Sequence, residues 1–164
     1  MTAAERQFPQ YEFNRTRTLG LLDTILKEPN PQGILGWRPG PGRAHIAWQL
    51  MHIGVTEEIF ATERLAPEKA GAFSELWPRF RGGSTPDDEI PTADLIREVL
   101  TEGREHLLAT LRTISDDRLG EIPAALAQRK LTIRDVLQIL AWHEPHHQGQ
   151  AHITFNLYKA AHAR

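Results

Sequence analysis

The chain has 164 residues, 40% of them hydrophobic, and its 19 Lys and Arg against 21 Asp and Glu give a formal net charge of −2; this predicts one domain over residues 1–164 and excludes disorder as its main state. The near-neutral balance, without a Lys/Arg cluster along the chain, argues against a nucleic-acid or polybasic membrane partner, because phosphate binding needs a concentrated basic face. Zero cysteines exclude disulfides, thiolate-ligated zinc, iron–sulfur clusters and cysteine nucleophiles and fit a reducing compartment, whereas eight histidines are generous.

Residues 1–10 include Glu5 and Arg6 and lack the apolar core of a signal peptide, so the expected address is the cytoplasm. No apolar run approaches the roughly 18 to 20 residues of a membrane-spanning helix. Valine occurs only at Val55, Val99 and Val136, while Leu, Ala, Glu and Arg abound, and the fold reads as all-α. A first helix is predicted from about Pro9 to Lys27, with Tyr11, Thr18, Leu22 and Ile25 on one face, ended by Pro29 and Pro31. A second runs from about Arg43 to Leu65, and its inward seam reads His45, Trp48, His52, Val55, Ile59 and Thr62. The segment Ala66–Pro91 is too long for an idle turn and is expected to cap one end of the molecule, burying Phe73, Trp77 and Phe80. A third helix starts at the N-cap Thr92 and runs to about Ser115. Its inward face, Ile96, Leu100, Leu107, Leu111 and Ile114, reads as purely structural. The fourth opens on Thr132-Ile-Arg-Asp135, a capping-box-like signal, and continues to about Ala160 along Val136, Leu140, His143, His147, Gln150, Thr154 and Leu157. Pro145 cannot donate to the Ala141 carbonyl, which predicts a kink or loosening beside the histidines. The expected architecture is an up-down four-helix bundle with a long second crossing loop, a fold that builds metal and ligand sites in its core.

His143 and His147 lie four residues apart, one turn along one helix face, the spacing that chelates a single divalent ion. A third ligand has to come from another helix, and His52 holds the matching place on the second seam. Three neutral imidazoles leave positions open for water or substrate, which is a catalytic arrangement rather than a closed structural one. Hydrogen-bonded core histidines would show the same spacing. Unsatisfied, however, each buried nitrogen costs about 1–3 kcal/mol, so a shared ion is the simpler explanation. Histidine ligation with open positions suits zinc or nickel, with iron as a further choice. His143-Glu144-Pro145-His146-His147 also fits H-E-x-x-H, in which the Glu is a protease base. No Asp or Glu follows His147 and the Gly/His spacing of the other protease class is missing, so that match reads as coincidental. His45 reads either as a polar residue at a helix start or as a group beside the site; His146 reads as a pocket group or a solvated neighbour. Gln150 and Thr154 continue the polar stripe as groups that orient a water at the metal, or as satisfied core pairs. His106, His152 and His162 read as surface or packing residues. Periodicity does not fix the direction of Glu57 or Glu144, so no general base is named.

Ala47-Trp-Gln-Leu-Met-His52-Ile53, Arg79-Phe-Arg-Gly-Gly-Ser-Thr-Pro86 and Trp142-His-Glu-Pro-His-His-Gln-Gly-Gln150, in this order, resemble the DinB/YfiT-like family of four-helix-bundle metalloproteins across nearly the whole chain. The resemblance implies a divalent metal held by His52, His143 and His147, with Pro145 a departure from the family pattern. It also implies thiol S-transfer or isomerisation with low-molecular-weight thiols for some members, no assigned reaction for many, and a homodimer. The expected function is therefore a metal-dependent enzyme that activates a water or a small thiol toward a small-molecule substrate. The alternative is a non-catalytic metal- or ligand-binding bundle, such as a sensor or stress-response module. Without cysteine, any thiol has to arrive as cosubstrate.

Overall fold

In a computed structural model, residues 1–163 are described and, among them, all regular structure is helical. The four long helices are α1 (Phe8–Leu26), α3 (Ile46–Ile59), α5 (Ala93–Leu111) and α6 (Ile133–Ala161), with short helices α2 (Pro31–Gly36) and α4 (Trp77–Phe80) in segments that read as loops. Helix α3 continues as a π-helical turn over Phe60–Arg64.

The helix starts follow local chemistry. Thr92 Oγ1 accepts from Leu95 N, and Thr132 and Asp135 form a reciprocal capping box. The second long helix begins three residues later than its periodicity suggests because His45 is its N-cap: Nδ1 accepts from Trp48 N at 3.0 Å while Nε2–H donates to the Asp87 carbonyl at 2.9 Å. Of its two sequence readings, the helix-start one describes its contacts.

Helix α6 spans Ile133–Ala161 with Pro145 inside it, and the loosening expected there is confined to one ladder bond. The Ala141 carbonyl, deprived of its ladder donor by the proline, accepts instead from Asn14 Nδ2 of α1 at 3.4 Å. Beyond His147 the alternating three-four seam leaves the core. Gln150 and Leu157 are exposed, although Thr154 between them stays buried, and Ala151 and Phe155 take the inward places. A strict 3.5-residue repeat drifts by about 20° per heptad on a 3.6-residue helix, and three heptads turn the stripe outward.

The strict up-down order is corrected by the residue pairings. Along α3 and α5 they advance together: Glu57 with Arg104, Glu58 with His106, Ala61 with Thr110. Along α1 and α6 they also advance together: Tyr11 with Leu137, Asn14 with Ala141, Arg15 with Glu144. Both pairs are therefore parallel, whereas α3 meets α6 antiparallel, His52 facing His143 and Gln49 facing His147. A parallel neighbour cannot follow through a tight turn, because the chain first has to return along the preceding helix, about 21 Å for the 14 residues of α3. Segment 65–92 makes that return. Instead of capping an end, it lies along α3 and offers its carbonyls to the seam: Trp48 Nε1 donates to Arg79 O and His52 Nδ1 to Phe80 O. Phe80 is fully buried there.

Glycines set the α3–α5 spacing. A Cβ on Gly54 would stand 2.7 Å from the Val99 carbonyl, and one on Gly103 would stand 2.5 Å from the Gly54 carbonyl. Two apolar clusters fill the interior. One centres on Leu22, Leu50, Met51, Ile96 and Phe155, the other on Tyr11, Leu107, Leu111, Val136 and Leu140. No helix is long and apolar enough to cross a membrane among the described residues.

Candidate metal centre

Between the two clusters lies a charged layer to which each long helix contributes one residue. Arg15 of α1 and Arg104 of α5 both pair with Glu57 of α3 and Glu144 of α6. Arg15 Nε meets Glu144 at 2.7 Å and Arg15 Nη2 meets Glu57 at 2.8 Å. The guanidinium groups also donate to the carbonyls of Leu100 and Tyr11. All four side chains are buried. Burial alone would raise the Glu57 carboxyl, but the two adjacent guanidinium groups outweigh it and hold its pKa below the ordinary carboxylate value. The acidic residue of the H-E-x-x-H match is thus committed to two arginines, and neither carboxylate is free to act as a base.

The charged layer was missed in the sequence, although it left a trace. The inward face of α1 skips from Tyr11 to Thr18, and that of α5 from Leu100 to Leu107. Arg15 and Arg104 occupy those gaps, so the α5 face is not purely structural.

Next to this layer, α3 and α6 bring His52, His143 and His147 together. One ring nitrogen from each lies within 4.8 Å of the others. His52 Nε2 and His143 Nε2 are 3.1 Å apart. Their partners decide the tautomers. The Phe80 carbonyl can only accept, so His52 Nδ1 at 2.6 Å carries the proton and Nε2 carries a lone pair. Gln49 Oε1, 2.6 Å from His147 Nδ1, imposes the same state on His147. The Trp48 indole stacks on His52 at 4.6 Å and fixes the ring plane. Burial first, and then the neighbouring imidazoles, lower the pKa of His143 to about 3 and also lower that of His147; burial lowers that of His52. The imidazoles are neutral at pH 7. Converging neutral nitrogens with acceptor-held rings fit a divalent ion at about 2.0–2.1 Å per Zn–N bond.

Of the remaining site candidates, His146 packs edge-on against His147 with ring centroids 4.9 Å apart, but its polar contacts and those of Gln150 and Thr154 are with one another. Gln150 Nε2 bonds to His146 Nε2 at 2.9 Å, His146 stacks on Trp142, and Thr154 Oγ1 donates back to the Gln150 carbonyl. None of these contacts orients a group at the three histidines. His146, Gln150 and Thr154 instead line a separate cleft with Gln49. Gln49, absent from the sequence reading, is the amide that touches the site. Polar seam residues on α6 stood out in the sequence, but a glutamine one turn before His52 gave no signal until α6 was placed against it. His106 bonds to buried Glu58 at 2.7 Å.

His52 and His143 open into a cleft of about 540 Å³. Comparison with curated proteins and with solved structures finds no match. A family model described as the DinB superfamily matches residues 10–151, a span that holds the three histidines and the four residues of the charged layer, and the chain belongs to that superfamily.

Proposed function

We propose that the protein is a divalent-metal-dependent enzyme, with His52, His143 and His147 as ligands and zinc or nickel as the metal, iron being the third choice. The observation that carries this reading is the convergence of three neutral imidazoles, two with their proton committed to an acceptor, beside an open cleft. An ion bound there supplies Lewis acidity that lowers the pKa of a water or a thiol at the site. The Phe80 carbonyl and Gln49 hold the rings of His52 and His147, and Ile59, Phe60 and Ile139 line the cleft with apolar surface.

No carboxylate lines that cleft among the described residues, and Glu57 and Glu144 are paired with arginine. A thiol, with a free pKa of about 8.5, needs far less assistance to ionise than water does. This favours a small thiol cosubstrate, and hence S-transfer, over hydrolysis. The same lack of a base favours the second reading, a non-catalytic metal- or ligand-binding bundle. The implied homodimer belongs to the proposal as well. Exposed Trp142, Ile153 and Leu157 on α6 offer an apolar surface for a second copy, checked by light scattering.

Metal analysis of the purified protein and of His147→Ala tests the site: one ion per chain lost in the variant supports it, and retained metal rejects these ligands. Thiol addition to a panel of electrophiles then tests the activity. A rate no greater than that of free thiol plus metal rejects S-transfer, and unfolding on metal removal without turnover selects the non-catalytic reading.

A further inference from the structure

Three arginines meet around the cleft above the histidines. Arg64 comes from the end of the π turn, Arg81 from the crossing segment and Arg129 from the turn before α6. They are distant in sequence, so they form no cluster along a chain of net charge −2. Their surroundings neutralise them only in part. No Asp or Glu lines the cleft, and the one ion pair among the three is Arg81 with Glu63 at 3.4 Å, on half-exposed side chains. Arg64 lies over the Phe60 ring at 5.3 Å, and its Nε is a buried nitrogen without a hydrogen-bond partner. Burial disfavours its charge most, Glu63 opposes this, and the neighbouring Arg129 and Arg81 add weaker repulsion.

Like charges gathered at one cleft are costly unless something of opposite charge joins them. π-Helical turns concentrate at functional sites, and the one at Phe60–Arg64 brings Arg64 into the lining of the cleft. Across from it the crossing segment contributes Gly82 and Gly83. Gly83 has φ +85°, and a Cβ on Gly82 would stand 4.0 Å from His52 Cε1, so side chains here would narrow the approach to the histidines.

We propose that this cleft binds a small organic anion, a dicarboxylate or a phosphate monoester, with Arg64, Arg81 and Arg129 around its charged end and its remainder toward His52 and His143. Guanidinium groups suit either anion, because their planar forks give paired hydrogen bonds to carboxylate or phosphate oxygens. The inference rests on the enzymatic reading only for the bound molecule's role as substrate or cosubstrate; the arginines hold their anion without the metal.

Calorimetric titration of metal-free and zinc-loaded protein with succinate, ethyl phosphate and neutral succinamide, at low salt, tests this. Either anion, or both, is expected to bind metal-free protein at least tenfold tighter than succinamide, and the ratio of the two affinities distinguishes dicarboxylate from phosphate. Arg64→Gln and the exposed Arg129→Gln are each expected to weaken that anion three- to tenfold, with Arg64→Lys intermediate. Raised salt should weaken it further. Equal affinity for succinamide and both anions overturns the proposal. So does wild-type anion affinity in Arg129→Gln and in an Arg64→Gln protein that melts like wild type. His147→Ala should lose zinc yet keep its metal-free affinity for the anion. Failure of zinc to bind any protein rejects the metal reading, while the metal-free titration still decides this one.

Discussion

Replacing Glu144 with Gln removes one of two negative charges from a buried layer that balances two carboxylates against two guanidinium groups. The Arg15 Nε contact at 2.7 Å keeps an acceptor if the amide oxygen faces it, but the amide nitrogen then meets Arg104 Nη2, donor against donor. The layer is left with one net positive charge among groups under a tenth exposed. Breaking a buried pair in this way costs about 3–5 kcal/mol, about a fifth or more of the stability of a typical domain. At about 2–4 °C per kcal/mol for a chain of this size, the melting temperature should fall by about 6–20 °C. Urea denaturation followed by far-UV circular dichroism gives the free energy, with Glu144→Leu/Arg104→Leu as companion. Removing one charge of each sign leaves Arg15 with Glu57, so the double variant should lose clearly less than the two single changes summed. A Glu144→Gln loss under about 1 kcal/mol, accompanied by loss of turnover, would refute the structural role and make Glu144 a candidate general base.

Gly54→Ala forces a methyl to 2.7 Å from the Val99 carbonyl and should cost about 1–3 kcal/mol in urea denaturation, whereas an unchanged midpoint would show that α3 and α5 separate without penalty. Pro145→Ala restores the missing ladder donor and should stabilise α6 by about 1–2 kcal/mol, less than the roughly 3 kcal/mol of an unrescued interior proline because Asn14 already serves Ala141. A fall in melting temperature would contradict this. In metal-free protein His143 stays neutral when folded, its pKa lowered by burial to about 3 from 6.5. The unfolded chain therefore binds the extra proton below pH 6.5. The contribution is complete above pH 6.5 and is lost at about 1.4 kcal/mol per pH unit as pH falls toward 3. Glu57, held low by its arginines, adds a second loss as pH drops below its ordinary 4.5. Urea midpoints at pH 7.5, 6.5, 5.5, 4.5 and 3.5 should fall accordingly, and a flat series would mean that these groups titrate as they do in the unfolded chain.

Residue spacing alone determined much of this protein. The four long helices, the Thr92 and Thr132 starts and the polar break at His52, His143 and His147 were all legible, because a helix converts a three-four spacing into a face and a capping side chain acts within one turn. Helix direction was not legible, since amphipathicity is the same read up or down. Only the return of segment 65–92 along α3 makes α3 and α5 parallel. Gaps in the seams of α1 and α5 hid Arg15 and Arg104, whose burial is tolerable only because Glu57 and Glu144 arrive from two other helices. The composition that excluded a basic face was read along the chain, where Arg64, Arg81 and Arg129 stand apart. Charges act through space, and the fold carries the three arginines to the rim of one cleft beside the histidines.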